Sequence, residues 1–500
     1  MVNKKEMNLK YIYRSLLVLL FTAALGGCNK WLELKPVDGI VGENYWKTKE
    51  QLSAAVTGIY ASMIGLPDGV SDKLLSEYLF MWGELRADMV IPTGTASNDD
   101  NDIYNVNLLP TSTTVKWASV YRTINYCNTV IELGPGVLEQ DPTLTQDQLN
   151  ANLSEAYAIR ALMYFYLARS FGDVPLQLKA VTSDDNVEQL AKSKQSEILD
   201  QVVADLTKAE PMAVTTYGTK AYDKGRVTKY TINAIQADVY LWMEKYTESV
   251  TACDKIINAG QFGLLSSGSM YYLFAGGGNS NEAIFEFQYD AQAQNPFYNL
   301  FSNTTRRYQV APRVIDEIYT VDYVNEDSVD VRGYYAVQSN NNGIRKYAWD
   351  ATSAASFNHW IIYRYADVLL MKAEALNQLD KGQDALDIVY QIRRRAHALE
   401  QTDLSPAPDD KDGVADFILE ERAREFSFEG KRWYDLLRNA KRDNYRRLQA
   451  VLLTMVINTV SPDRQQSAIN KYKDFNSHYF PIYYYELQTD KKLVQNPFYQ

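Results

Sequence analysis

Tyr363-Arg364-Tyr365-Ala366-Asp367-Val368-Leu369-Leu370-Met371-Lys372-Ala373-Glu374-Ala375 reads as the first member of a closely packed helix pair. Leu369, Ala373 and Leu376 recur at helical spacing; a short turn follows, and Ala385, Val389 and Ile392 continue the pattern. Small residues let two helices approach and large ones fill between them, as in a tetratricopeptide unit. The same arrangement occurs upstream, where Ala237 and Tyr240 are followed by Ser249, Cys253 and Ile256. A third apolar stripe, Leu153 to Ala168, ends at Phe171-Gly172-Asp173-Val174-Pro175, a glycine-then-proline stop. Long insertions separate these units. The spacing therefore predicts a mainly α fold, with helix pairs as scaffold and long loops added, not a regular solenoid.

Toward the N terminus, Thr48 is placed to cap a helix over 49–64, and a second helix is expected over 74–87. Residues 91–114 are rich in Pro, Gly, Thr, Asn and Asp and read as a long loop; Trp117 to Leu133 returns to helix. Residues 265–360 break the helical pattern with Gly276-Gly277-Gly278, Asn/Ser runs and many aromatics. The glycine triplet lacks the context of a phosphate loop and reads as a turn. Asp409 to Asp412 reads as a solvated acidic turn whose spacing does not match a calcium loop.

Residues 1–27 read as a lipoprotein signal peptide. Lys4, Lys5, Lys10 and Arg14 give a basic start, a short apolar run follows, and Leu25-Gly26-Gly27-Cys28 is a lipoprotein cleavage site. The run is too short to span a bilayer, so Cys28 is the expected lipid (palmitate) attachment point. Two parts follow, 28–264 and 265–500, the latter holding the loop-rich insertion 265–360, and together they are read as one compact unit. A net charge of −11 argues against nucleic acid as a partner. Cys127 and Cys253 are isolated in apolar patterns, and His359, His397 and His478 are scattered, so neither a metal centre nor any cofactor is expected. Structural calcium has no supporting ligand set. Tyrosine is abundant, at 37 residues against 17 Phe and 8 Trp. Its flat apolar face and polar tip suit stacking on partly polar ligands such as sugars.

Five segments together resemble the SusD/RagB family of nutrient-binding outer-membrane lipoproteins of Bacteroidetes. They are Cys28 to Pro36; Leu162-Met163-Tyr164-Phe165 with the exit turn to Leu176; Gly225-Arg226-Val227-Thr228-Lys229 with its following repeat; Tyr363 to Ala375; and Glu420 to Phe426 with Glu429 to Arg438. The closing Pro481, Glu486, Gln495-Asn496-Pro497 and Tyr499 fit as well, although Tyr483 and Thr489-Asp490 depart from the pattern. The resemblance implies a SusD-like fold and a lipid-anchored location on the outer membrane, facing the cell exterior. It also implies a SusC-like TonB-dependent transporter as partner and non-catalytic binding of glycans. Peptide capture, as in a RagB-type importer, is the alternative. The charges of Arg364, Asp367, Glu374, Glu420, Glu421, Arg424, Glu425, Arg432 and Asp435 are expected to form structural ion pairs, not a catalytic set. No motif singles out the carboxylate pair that a glycoside hydrolase needs.

In the family, loops on the scaffold hold the ligand, which points to 88–114 and 265–360. Sugar recognition needs aromatic faces and hydrogen-bonding groups. The expected platform is Trp349 with Tyr298, hydrogen-bonded by Arg86, Asp88 and Asn101, with Trp82, Tyr104 and Tyr335 as further candidates.

Overall fold

A computed structural model of the chain describes residues 45–67, 70–183, 187–302, 304–319, 329–338, 341–402 and 405–500. The signal peptide, Cys28 and the extended start up to Pro36 lie outside the described residues. Residues 48–500 form one compact unit.

The scaffold is helical. In chain order its main elements are α1 (Lys49–Ile64), α2 (Leu75–Glu84), α3 (Ala118–Leu133), α4 (Gln146–Phe171), α5 (Gln195–Ala209), α6 (Lys229–Trp242), α7 (Tyr246–Ile257), α8 (Tyr365–Gln378), α9 (Gly382–Arg395), α10 (Lys411–Phe426) and α11 (Arg432–Tyr445). The starts follow their caps: Thr48 and Thr145 each complete a capping box, with Gln51 and Gln148. The α4 stop is conformational, because Gly172 takes φ 75°, which L side chains rarely adopt. Neighbours pack as consecutive pairs: α4 with α5, α6 with α7, and α8 with α9. Between α6 and α7 the Ser249 hydroxyl donates to the Ala237 carbonyl at 2.9 Å, an approach that only small residues permit. Between α8 and α9, Leu369, Ala373, Leu376, Ala385, Val389 and Ile392 share one buried cluster. The helix-pair architecture expected from the sequence is thus present.

Short strands mark the additions: β1 (Val90–Pro92), β2 (Ala283–Phe287), β3 (Tyr308–Val310), β4 (Val337–Gln338), β5 (Gly343–Ile344) and β6 (Trp360–Arg364). They pair antiparallel as β1–β3, β2–β6 and β4–β5. The stretch 91–114 is more ordered than its composition predicts. Ser97 caps a short helix, Asn98–Tyr104, and buried Asp100 binds Arg307 and the Tyr308 hydroxyl of β3. A long-range ion pair, invisible to local propensity, folds this segment. In the acidic turn, Asp410 caps α10 and Asp412 pairs with Arg446.

Buried charge ties the helices to the insertion. Arg364, at the end of β6, is fully buried and donates to Glu282 (2.7 Å), Glu425 (2.6 Å) and Glu429 (2.8 Å). Arg332 reaches Glu421 (2.7 Å) and Glu425 (3.0 Å), and Lys346 reaches Glu429 (2.8 Å). Asp367 pairs with Arg422 and Lys431, and Asp435 with Arg422 and Arg438, while Glu374 accepts from Arg438 and Arg442. Burial alone would raise these carboxyls. The cations outweigh it, holding Asp367 and Glu374 at about 2 and Glu425 well below the usual range. The motif carboxylates are therefore structural, as the sequence suggests, but most partners of Glu421 and Glu425 come from distant segments.

One contact is backbone against backbone. Gly83 on α2 lies against Gly430, in the turn between α10 and α11, so closely that a Cβ would meet the Gly430 oxygen at 1.9 Å. Beside it, Glu84 accepts from the Gly430 amide at 2.8 Å, and its second oxygen has no partner among the described residues. Burial pushes this carboxyl up to about 8.

Two stability effects are expected. Arg364→Met takes the shared cation from three buried carboxylates, leaving Glu282, Glu425 and Glu429 to Arg395, Arg332 and Lys346, and should cost about 3–5 kcal/mol, read from guanidinium unfolding; an unchanged midpoint would remove the cluster from the fold's energetics. Because the Glu84 pKa is raised on folding, its contribution is complete below the unfolded value of 4.5 and lost as pH rises through about 8. Glu84→Gln should accordingly flatten the decline of unfolding free energy between those limits, measured by denaturant titration at a series of pH values. A slope identical to that of the parent protein would show that Glu84 stays ionised in the fold.

Candidate functional site: an aromatic platform on the insertion

Two segments of the insertion build an aromatic surface. The first is the helical turn Tyr271–Phe274. The second runs from the short helix Arg332–Ala336 through the β4–β5 hairpin to Trp349. Each segment sends one aromatic inward and others out. Phe274 and Tyr347 are buried and meet at 5.3 Å, and Tyr347 packs in turn on Phe297 (5.3 Å) and Trp360 (4.8 Å). Tyr347 takes φ 62°. That turn lets Lys346 and Tyr347 point into the core while Arg345 and Trp349 stay half-buried above it. Lys346, fixed on Glu429, anchors the segment to the charged core.

Above this floor, Trp349 is the hub. Its ring lies 5.2 Å from Tyr271, 5.3 Å from Tyr334 and 5.8 Å from Tyr335. Tyr272 and Tyr334, at the margins, are 58% and 63% exposed. The Arg345 guanidinium stacks 4.3 Å from the Trp349 centroid and 5.0 Å from Tyr334. Polar groups frame the patch. Asp350 is exposed and accepts from Asn358 Nδ2 (2.7 Å), the Tyr271 hydroxyl (3.4 Å) and the Gly276 amide (3.4 Å). The glycine triplet brings the loop down onto a buried Glu286–His359 pair, 2.8 Å apart. A Cβ on Gly278 (φ 65°) would lie 2.4 Å from His359 Nδ1. The triplet is a turn, as expected, and it also positions Tyr271 and Tyr272.

Of the residues expected at a ligand surface, Trp349 and Tyr335 come together in this patch. Three need correction because they are buried in structural roles. Trp82 is 0% exposed and donates from its indole to the Thr114 carbonyl at 2.7 Å. Arg86 donates to the carbonyls of His478 (2.7 Å) and Ser477 (2.6 Å) and stacks on Trp433. Asp88 is clamped by Arg432 and Arg313; burial opposes its ionisation, but those cations lower its pKa. Tyr298 is half-buried, donates its amide to Ser356 and makes no ring contact with Trp349 among the described residues. Asn101 bonds back to Ser97 within its own helix, and the Tyr104 hydroxyl donates to the Thr459 carbonyl. The interactions of these three do not reach the patch. Sequence reasoning missed Tyr271, Tyr272, Tyr334 and Arg345 as site residues. The paired tyrosines at 271–272 and 334–335 were its available signal, but nothing local shows that both pairs meet one tryptophan.

Comparison with known proteins agrees with this architecture. Residues 289–499 match a family model described as SusD family, and residues 56–241 match one described as starch-binding associating with outer membrane. SusD-like protein P38 of Formosa agariphila is 28% identical over 97% of this chain and 99% of its own length. SusD-like protein P2 of the same organism is 28% identical over 84% of this chain and 89% of its own length. A SusD superfamily protein from Bacteroides vulgatus, of known crystal structure, superposes with a TM-score of 0.75 at 23% identity, covering 91% of this chain and 100% of its own. Fold and matches together define a helical class of protein whose family model is described as starch-binding and associating with the outer membrane. The chain belongs to the SusD/RagB family. Among the described residues no helix is long and apolar enough to cross a membrane.

If the glycine triplet seats the platform, Gly278→Ala should cost about 1–3 kcal/mol through its left-handed φ and its clash with His359. Limited proteolysis should then cut near 275–280 faster than in the parent protein. Unchanged stability and cleavage would show that the loop accommodates a side chain.

Proposed function

We propose that this protein captures glycans on the cell exterior and passes them, chemically unchanged, to a SusC-like TonB-dependent transporter. Lipid attachment at Cys28 would hold it on the outer membrane. The observation that carries the ligand reading is the cluster of Trp349 with Tyr271, Tyr272, Tyr334 and Tyr335, whose outer members are exposed. Aromatic faces cover the apolar face of a sugar ring, and tyrosine hydroxyls with Asp350 offer partners for its hydroxyl groups. Because Phe274 and Tyr347 already fix both segments, little ordering is left to be done on binding. The family description, starch-binding associating with outer membrane, supports the same reading, and the leader with its lipoprotein cleavage site supports the anchor.

Calorimetry of the mature protein against a panel of soluble polysaccharides tests it. Saturable binding without product release is expected. Trp349→Ala should weaken that binding about tenfold or more, equivalent to ~1.4 kcal/mol, while Tyr298→Ala should leave it unchanged. Glycan binding that survives Trp349→Ala would keep the function and discard the platform. A folded protein that binds peptides and no glycan would replace this reading with peptide capture.

A further inference from the structure

Arg345 differs from the arginines of the core. Arg332, Arg364 and Arg395 each face two or more carboxylates. Arg345 has no carboxylate in ion-pair range among the described residues. Its protein interactions are one hydrogen bond, from Nη1 to the Tyr334 carbonyl at 3.0 Å, and the stacking on Trp349 and Tyr334. The nearby carboxylate at Asp350 is already engaged by Asn358, Tyr271 and the Gly276 amide. Arg306 is a second cation of this kind. It donates to the Asn341 carbonyl at 2.7 Å, in the turn of the same β4–β5 hairpin, and has no carboxylate partner among the described residues.

A guanidinium held over an indole and bonded to the Tyr334 carbonyl has lost much of its rotamer freedom before any ligand arrives, and most of its five N–H donors have no protein partner among the described residues. Its planar fork matches a carboxylate or a sulfate ester, two oxygens at a time. The net charge of −11 disfavours anions at long range, so a guanidinium beside Trp349 that meets no carboxylate among the described residues acts only at contact. The tyrosine hydroxyls can serve a neutral saccharide, whereas an anionic one gains a charge-assisted pair with the guanidinium.

We infer that the platform takes anionic oligosaccharides: a sugar ring stacks on the aromatic cluster while its carboxylate or sulfate pairs with Arg345. The inference rests on the glycan reading above and adds the charge of the ligand and the residue that selects it.

The test uses the whole mature protein, residues 28–500, in detergent. One arm titrates oligogalacturonate, oligoglucuronate and oligoalginate, each beside its carboxyl-reduced form. A second arm titrates sulfated galactan oligosaccharides beside their desulfated forms. The variants are Arg345→Gln, Arg345→Lys and Trp349→Ala, with thermal unfolding to confirm that each is folded. The expected result is at least tenfold tighter binding of one anionic member over its neutral partner. Arg345→Gln should abolish that preference, so that the charged and neutral members of the pair bind within about twofold of each other, and Arg345→Lys should restore only part of it. The arm in which the preference appears identifies carboxylate or sulfate. Equal binding of charged and neutral partners, unaffected by Arg345→Gln, would overturn the inference and leave the glycan platform standing. A preference that survives Arg345→Gln would also overturn it, by placing selection elsewhere. Absence of any glycan binding by the folded protein would overturn both readings.

Discussion

Everything in this fold is arranged around a charge that cannot be left alone. Arg364 sits where β6 runs into α8, with no access to water, and its stability there depends on Glu282, Glu425 and Glu429 arriving together. Those partners come from the start of β2, the end of α10 and the turn into α11. An uncompensated buried ion is strongly destabilising, so the pairing acts as a register for three separate stretches of chain. Arg332 and Lys346 extend the same network into the loop-rich insertion. The insertion is thereby fixed to the helical scaffold from below by ions, while its upper surface is left to aromatics.

This division explains how the platform can be rigid without regular secondary structure. From 345 to 349 the chain alternates between two allegiances. Lys346 and Tyr347 belong to the core, and Arg345 and Trp349 to the surface. A loop held by consecutive buried residues, Lys346 to Ala348, needs few backbone hydrogen bonds to keep its shape. The arrangement suits recognition of flat, partly polar ligands, where preset geometry offsets the modest energy of each contact.

The helical pairs were legible because their information is local. Spacing of Ala373, Leu376, Ala385 and Val389 determines which faces meet, and caps such as Thr48 mark where helices begin. The site was only half legible. Trp349 and Tyr335 could be chosen by residue type and by their place in an insertion. Trp82, Arg86 and Asp88 look identical in kind, yet Trp82 is consumed by Thr114, and Arg86 and Asp88 by partners hundreds of residues away, Ser477, His478 and Arg432. The order in 91–114 was hidden for the same reason, since Asp100 needs Arg307. Composition tells which residues could bind a ligand, but only the fold tells which of them are already bound to one another.

The contact of Gly83 and Glu84 with Gly430 bears on how the chain reaches this state. Its two sides are 346 residues apart in sequence. Such non-local closures are slow and expose apolar surface to aggregation. The seam between Gly83 and Gly430 joins segments from opposite ends of the described chain, so it can close only when both are present, and it contributes to a high contact order.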